Sequence, residues 1–172
     1  MTKIYKHPRG GAIFVGDDED YSSVKDVAHG VFLHCAKHPY HCKMVGYSGN
    51  LKPNHTNYAC IRKENRMALN LVDMDTFDEK YLPHYKTMLS KAFHFLDDHV
   101  LNWRSVLINC NQGVSRGPTI GMMYVARLGA WGFVDFKETV ERFRNIYPKY
   151  EPSLSMSSIA ENLWNEFVWR VS

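Results

Sequence analysis

The sequence predicts a three-layer α/β (or α+β) fold, and three features of the chain predict it. Short apolar runs bounded by glycine, proline and polar residues recur through the first half. The C-terminal half carries apolar residues at helical spacing over long stretches. Between them Val106-Leu-Ile108 leads through a short loop into Thr119-Ile-Gly-Met-Met-Tyr-Val-Ala-Arg127, a strand joined directly to a helix.

Taken in order, Ala12-Ile-Phe-Val15 reads as a first strand ended by Gly16. Asp17-Asp-Glu-Asp20 opens a helix over Tyr21 to His29, because carboxylates favour a helix N-terminus. Val31-Phe-Leu-His-Cys35 is the next strand, and residues 36–57, rich in Pro, Gly, Asn and Ser, read mostly as loop. Tyr58-Ala-Cys-Ile61 and Met67-Ala-Leu-Asn-Leu-Val72 are further strands. From Glu79 to Trp103, Tyr85, Met88, Leu89, Ala92, Leu96 and Val100 recur with helical period. After the strand at Val106, Pro118 suits a first helical position, where its missing N–H is no loss. Phe133 to Tyr147 and Ser155 to Val168 close the chain as amphipathic helices, with Ser158-Ile-Ala-Glu161 as a capping box for the last.

The composition narrows the class. A chain of 172 residues supports one domain, spanning 1–172, with a sizeable core. The 45% hydrophobic and 23% charged residues are those of an ordinary globular protein. No apolar run approaches the roughly 18 residues of a membrane span, and the N-terminus lacks a secretory apolar stretch, so no membrane is expected. Four irregularly spaced cysteines make no disulfide framework and suit a reducing cytoplasm. The net charge of +3 comes from dispersed Lys and Arg, which gives nucleic-acid binding little support.

Chemistry concentrates in Ile108-Asn-Cys-Asn-Gln-Gly-Val-Ser-Arg-Gly-Pro118. The loop delivers backbone N–H groups and a helix N-terminus to one point, which is how proteins hold a phosphate dianion. A cysteine there sits in a positive field that favours the thiolate. Arg116 adds a planar fork of donors suited to two phosphate oxygens at once. The combination predicts nucleophilic attack of Cys110 on phosphorus.

Asn109-Cys-Asn-Gln-Gly-Val-Ser-Arg116 resembles the catalytic loop of the cysteine-dependent protein tyrosine phosphatases, and its Gly113-Val-Ser-Arg116 end looks most like the dual-specificity branch. Ile13-Phe-Val-Gly16, Leu69-Asn-Leu-Val-Asp73 and Arg144-Asn-Ile-Tyr-Pro-Lys-Tyr-Glu-Pro152 extend the resemblance over most of the chain, apart from 34–57. It implies a protein tyrosine phosphatase-like three-layer fold, a central mixed sheet flanked by helices. It further implies a phosphocysteine on Cys110, with the N–H groups of Asn111, Gln112, Gly113, Val114, Ser115 and Arg116 and the Arg116 guanidinium holding the phosphate. An aspartic acid protonates the leaving oxygen and later activates water; Asp73 is in the family's usual place and Asp75 is the alternative, whereas Asp78 suits a helix cap. The resemblance implies no metal and no cofactor, and a phosphorylated protein or peptide as substrate.

Two positions depart from the family pattern. Asn109 replaces the histidine that usually precedes the nucleophile and helps fix the loop. Gly117 replaces the Ser or Thr whose hydroxyl assists departure of the thiolate, so the second step is expected to be slow unless Ser115, Thr119 or a water substitutes. A phosphate-binding module with little turnover is therefore a rival reading, as are a phosphatase for RNA 5′-phosphates or phosphoinositides and a C-x5-R loop on a rhodanese-like fold. The uncharged Asn111, Gln112 and Val114 disfavour highly anionic substrates.

His34-Cys-Ala-Lys-His-Pro-Tyr-His-Cys42 offers potential zinc ligands, with His55 and Cys60 further on, but lacks paired C-x2-C spacing. The stronger expectation is a segment flanking the loop, with His38, Tyr40 or His41 facing substrate. Cys35, Cys42 and Cys60 could pair with Cys110 under oxidation, although three inert thiols are the simpler reading. Trp131, Phe133, Phe136, Phe143 and Tyr147 read as core at helical spacing.

Overall fold

In the computed structural model, which describes residues 1–132 and 135–168, the chain runs through β1 (Thr2–Lys6), β2 (Ala12–Gly16), α1 (Asp18–Val24), β3 (Val31–His34) and α2 (Cys42–Val45). It continues through β4 (Cys60–Lys63), β5 (Arg66–Leu69), α3 (Leu82–Val100), β6 (Val106–Asn109), α4 (Arg116–Arg127), α5 (Phe136–Ile146) and α6 (Leu154–Phe167). The strands form a mixed sheet in the order β1-β2-β6-β3-β5-β4. The inner strands β2, β6, β3 and β5 are parallel, and β1 and β4 flank them antiparallel.

Parallel strands need cover on both faces, and side-chain alternation provides it. Ile13, Val15, Leu33, Met67, Leu69, Val106 and Ile108 join the main core. On that core α3 packs against β5 and β6, α4 against β2 and β6, and α6 against α3 and α4. The intervening Phe14, Phe32 and Leu107 face the other way with Val24 of α1, and Tyr21 sets its ring edge-on to Phe32 at 5.2 Å. The expected three-layer architecture is the observed one.

This topology positions the site. The parallel strands end at one edge of the sheet, and β6 lies between β2 and β3. The segment after β6 is therefore met by the residues that follow β2 and β3, and by those beyond β5. Ligands on such sheets bind beyond the carboxyl ends of the strands.

Several elements differ from the sequence expectation. β1 was not expected; its Lys3 and Lys6 obscure a strand that only Ile4 anchors in the core. The first helix starts earlier and ends sooner than Tyr21 to His29, because Asp17 and Asp20 form a reciprocal capping box that fixes its start at Asp18. The strands near Tyr58 and Met67 occupy Cys60–Lys63 and Arg66–Leu69, joined by a two-residue turn with Glu64 at φ 50°. The region 36–57 contains the single-turn helix α2. Glu79–Tyr81 is a separate 3-10 turn capped by Asp78, so the long helix begins at Leu82. Helix α4 starts at Arg116, two residues before Pro118. Ser153, whose Oγ accepts from the Met156 N–H, caps α6, so Ser158 lies inside that helix and forms no capping box. Asp135 caps α5, and Phe133 lies outside the described residues.

Candidate active site

The loop after β6 is held by its carbonyl groups. The Asn111 carbonyl accepts from Asp18 N at 3.2 Å, and the Gly113 carbonyl from the Tyr147 hydroxyl at 2.7 Å. The Val114 carbonyl accepts from Glu151 N at 2.9 Å, and the Ser115 carbonyl from Thr119 N at 2.9 Å and Thr119 Oγ1 at 2.8 Å. Among the described residues the N–H groups of Asn111 to Arg116 donate to no protein acceptor. Backbone donors left unpaired in a part-buried loop call for an acceptor, and an anion satisfies several at once. Gly113 makes the turn possible: its φ is +68°, and a Cβ there would lie 2.9 Å from the Gly16 carbonyl carbon. Cys110 sits at the base of this loop, 1% exposed, with its N–H 3.4 Å from the Gly16 carbonyl oxygen.

Arg116 and Asp73 meet over the loop. Arg116 Nη2 donates to Asn111 Oδ1 at 2.9 Å. Arg116 Nε lies 3.3 Å from Asp73 Oδ2, yet this buried N–H has no hydrogen-bond partner. The N–H is thus not aimed at the carboxylate, and the contact is one of charges at short range. Asp73 Oδ1 accepts from Ser115 Oγ at 3.2 Å, and the Asp73 side chain remains 33% exposed. Asp75 is exposed, and neither Ser115 nor Arg116 bonds it. Asp78 accepts from Lys80 N at 3.0 Å as the cap of its 3-10 turn. Of the three carboxylates considered, the structure brings Asp73 to Arg116.

The position of Asn109 has a structural answer. β3 and β6 pair in register with His34 opposite Asn109, and His34 Nδ1 lies 2.7 Å from Asn109 Oδ1. His34 stacks on Tyr40 at 4.2 Å between centroids. Tyr40 donates to Asp18 Oδ1 at 2.5 Å, and Asn111 donates to Asp18 Oδ2 at 3.1 Å. Histidine thus stands beside this position, one strand over, and a hydrogen-bonded path leads from Tyr40 through Asp18 and Asn111 to Arg116. His34 is neutral at physiological pH: burial, which penalises the imidazolium, outweighs the Asn109 hydrogen bond and lowers its pKa to about 4.

That shift sets a pH dependence of stability. Between the unfolded value near 6.5 and about 4, the unfolded chain takes up a proton at His34 that the folded chain refuses. Stability is therefore full above the unfolded value and is lost as pH falls toward the folded one. From pH 7 to 5 the loss at His34 is about 2 kcal/mol. Thermal melts should show a fall in Tm over this range, and His34→Gln should flatten it in part. His41, His84 and His99, each lowered first of all by burial, keep a residual slope. An unchanged slope in the variant would refute the assignment.

The remaining candidates separate clearly. A Cβ at Gly117 would lie 3.2 Å from Asn109 C and from Cys110 N, so a side chain there requires the loop to give by a few tenths of an ångström. The hydroxyls weighed as substitutes are engaged elsewhere. Ser115 Oγ also accepts from Ser153 N at 3.1 Å, and Thr119 Oγ1 lies 3.1 Å from the Tyr150 hydroxyl. The histidines and cysteines of 34–42 disperse: His41 is buried with Nε2 2.8 Å from Asn57 O, and Cys42 Sγ lies 3.8 Å from His38 Nε2. Among the described residues no His, Cys, Asp and Glu group forms a metal-binding cluster. The His38 carbonyl reaches the loop, accepting from Asn111 Nδ2 at 3.1 Å, and Tyr40 meets it only through Asp18. Cys35 is buried, and its thiol is pushed up by burial first and by the proximity of Cys110 second.

Residues unmarked by the sequence hold the site together. Tyr147, read as core, is buried as expected but also fixes the Gly113 carbonyl. The start of α6 clamps the Asp73 segment, with Met74 N donating to Ser155 Oγ at 3.2 Å and Ser155 N to Met74 O at 3.3 Å.

Comparison with known proteins adds the following. The chain is 36% identical over 70 residues to the dual specificity protein phosphatase YVH1 of Plasmodium falciparum and 28% identical over 102 residues to the tyrosine-protein phosphatase vhp-1 of Caenorhabditis elegans. The matches take in 41% and 59% of this chain but only 11% and 15% of those proteins. Among solved structures, DUSP15 aligns with a TM-score of 0.63 at 14% identity, over 95% of this chain and 86% of that one. PTPMT1, solved in complex with PI(5)P, aligns at 0.59 and 14% identity over 98% of both chains. No protein-family model matches the chain. Among the described residues no helix is long and apolar enough to cross a membrane.

Proposed function

From a chain that is dual-specificity-phosphatase-like in fold and in sequence, we propose a phosphatase that hydrolyses phosphate monoesters of proteins: phosphotyrosine, and phosphoserine or phosphothreonine in its wider range. The observation that carries this is the loop whose carbonyls are tied to the surrounding protein while its N–H groups stay free around Cys110 and Arg116. The Cys110 thiolate attacks phosphorus, and an S–P bond forms as the bond to the leaving oxygen breaks. Asp73 delivers its proton to that oxygen. The free N–H groups and the Arg116 guanidinium, turned from Asp73, hold the three equatorial oxygens through the transition state. Water then attacks the phosphocysteine, Asp73 takes its proton, and phosphate leaves with the thiolate restored. The chemistry of these two steps calls on no cofactor. The span 1–172 acts as one catalytic unit, and its free thiols suit a reducing compartment such as the cytoplasm.

With Gly117 in place of a hydroxyl residue, the second step limits turnover. Rapid-quench mixing with p-nitrophenyl phosphate should release about one equivalent of phenolate per chain in a burst, followed by a slower steady phase. Phosphate binding with neither burst nor turnover would make the chain a binding module and end the phosphatase reading.

A further inference from the structure

Asn109 closes β6, and the nucleophile follows it directly. The backbone at this point is gripped unequally. On the β2 side the Cys110 N–H lies 3.4 Å from the Gly16 carbonyl oxygen, whereas on the β3 side the Asn109 carbonyl accepts from Cys35 N at 2.7 Å. The direction in which the chain leaves the sheet is therefore set chiefly from β3, and His34 is the β3 residue opposite Asn109.

The two side chains share a face of the sheet and are buried, His34 at 1% exposure and Asn109 at 0%. An amide oxygen only accepts, so the 2.7 Å contact between His34 Nδ1 and Asn109 Oδ1 is a bond donated by the neutral imidazole. Asn109 Nδ2 is buried with no acceptor in hydrogen-bond reach. His34 thus provides the only hydrogen bond that this amide makes among the described residues.

The imidazole is itself immobilised. It stacks on Tyr40 at 4.2 Å with 2° between planes and meets Tyr21 edge-on at 4.7 Å. Those rings are anchored in turn, Tyr40 by its hydroxyl on Asp18 and Tyr21 by Arg66 Nη1, which donates to its hydroxyl at 2.6 Å. A donor whose own ring cannot turn imposes direction as well as distance on its partner. The same stack reaches the other flank of the nucleophile, since Asp18 also accepts from Asn111 Nδ2 at 3.1 Å. Cys110 is bracketed by Asn109 and Asn111, and one aromatic cluster holds both.

We propose that His34 is a positioning residue for the phosphoryl transfer, acting through Asn109 to fix the exit of β6 and with it the direction in which the Cys110 sulfur meets phosphorus. The inference rests on the phosphatase reading above. Attack requires the sulfur in line with the departing oxygen, and a displacement of about 1 Å costs up to about 10²-fold in rate.

The test is a double-mutant cycle on the burst with p-nitrophenyl phosphate, whose amplitude counts competent chains and whose rate constant reports alignment. His34→Leu leaves the Asn109 amide unpaired; it should lower Tm and slow the burst about thirtyfold, at an amplitude still near about one equivalent. His34→Asn, whose amide nitrogen stands where Nδ1 does, should keep the burst rate within about fivefold of the parent. His34→Leu/Asn109→Leu removes both polar groups and should therefore recover Tm, yet remain as slow as Asn109→Leu alone.

A burst rate that recovers together with Tm makes the pair structural only and overturns the positioning role. So does a His34→Leu rate within about twofold of the parent, or a His34→Asn as slow as His34→Leu. A double variant much slower than Asn109→Leu overturns it too, because His34 would then not act through Asn109. If His34→Leu does not fold, the double variant read against the parent decides: slow at the parental Tm supports the role, and the parental rate ends it. A parent with neither burst nor turnover is a different failure, that of the phosphatase reading. Alkylation of Cys110 by iodoacetamide then reads the positioning, slowed in the same order if His34 has this role and equal in all variants if it has not.

Discussion

Cys110→Ser should lower kcat/KM toward an aryl phosphate by about 10⁴-fold or more and leave no burst, while inorganic phosphate continues to stabilise the folded chain. The exchange replaces sulfur by oxygen at a position 1% exposed and changes little else. Serine is the weaker nucleophile at neutral pH because its hydroxyl holds its proton far more firmly than a thiol. His34, the nearest imidazole along the network, is not set to take that proton: it bonds Asn109 and is neutral within a packed aromatic stack. The cradle does not depend on the sulfur. Its carbonyl anchors come from Asp18, Tyr147, Glu151 and Thr119, and Arg116 is held by Asn111. Phosphate should therefore raise the Tm of the variant about as much as that of the parent. Initial rates and phosphate-dependent melts check both halves. Activity within tenfold of the parent would remove Cys110 from the mechanism.

The parts of this site that were legible in the sequence are those that one short segment encodes. Val106 to Ile108, Gly113 and Pro118 announce a strand, a short loop and a helix start within a few residues of Cys110, because each constraint is local. Asp73 was expected only through the resemblance, which places an aspartate after this strand, and the structure sets its carboxylate 3.3 Å from Arg116 Nε. Residues that hold the loop were not legible, because their partners are distant in the chain. Tyr147 reaches Gly113 across 34 residues, Ser153 reaches Ser115 across 38, and Ser155 reaches Met74 across 81. Nothing in a serine or a helical tyrosine signals such a partner. His34 illustrates the limit well. Its pairing with Asn109 depends on β3 lying beside β6 in a given parallel register, which is a property of the sheet order and not of either segment. Helix boundaries failed where a cap outweighed periodicity. Asp17 fixes α1 and Ser153 fixes α6, each through its own side-chain oxygen, and the apolar pattern is blind to both.

Asp73→Ala should lower kcat toward a phosphotyrosine peptide by about 10²- to 10³-fold, the usual contribution of a positioned general acid. The size should depend on the leaving group. Tyrosine departs as a phenolate whose conjugate acid has a pKa of about 10, so its oxygen needs a proton as the bond to phosphorus breaks. p-Nitrophenolate is a far weaker base, and the same substitution should cost its phosphate ester much less in the burst. This contrast separates an acid from a residue that merely positions Arg116, which would slow both substrates alike. Binding should survive and tighten, because removing the carboxylate 3.3 Å from Arg116 Nε frees the guanidinium from a competing anion. The variant should therefore hold phosphopeptide while turning it over slowly, a trap for natural substrates. Asp75 supplies the control: exposed and bonded to neither Ser115 nor Arg116, it should tolerate alanine within about twofold. If Asp75→Ala is the slower enzyme on phosphotyrosine, the acid is Asp75, and the contact between Asp73 and Arg116 serves only to position the guanidinium.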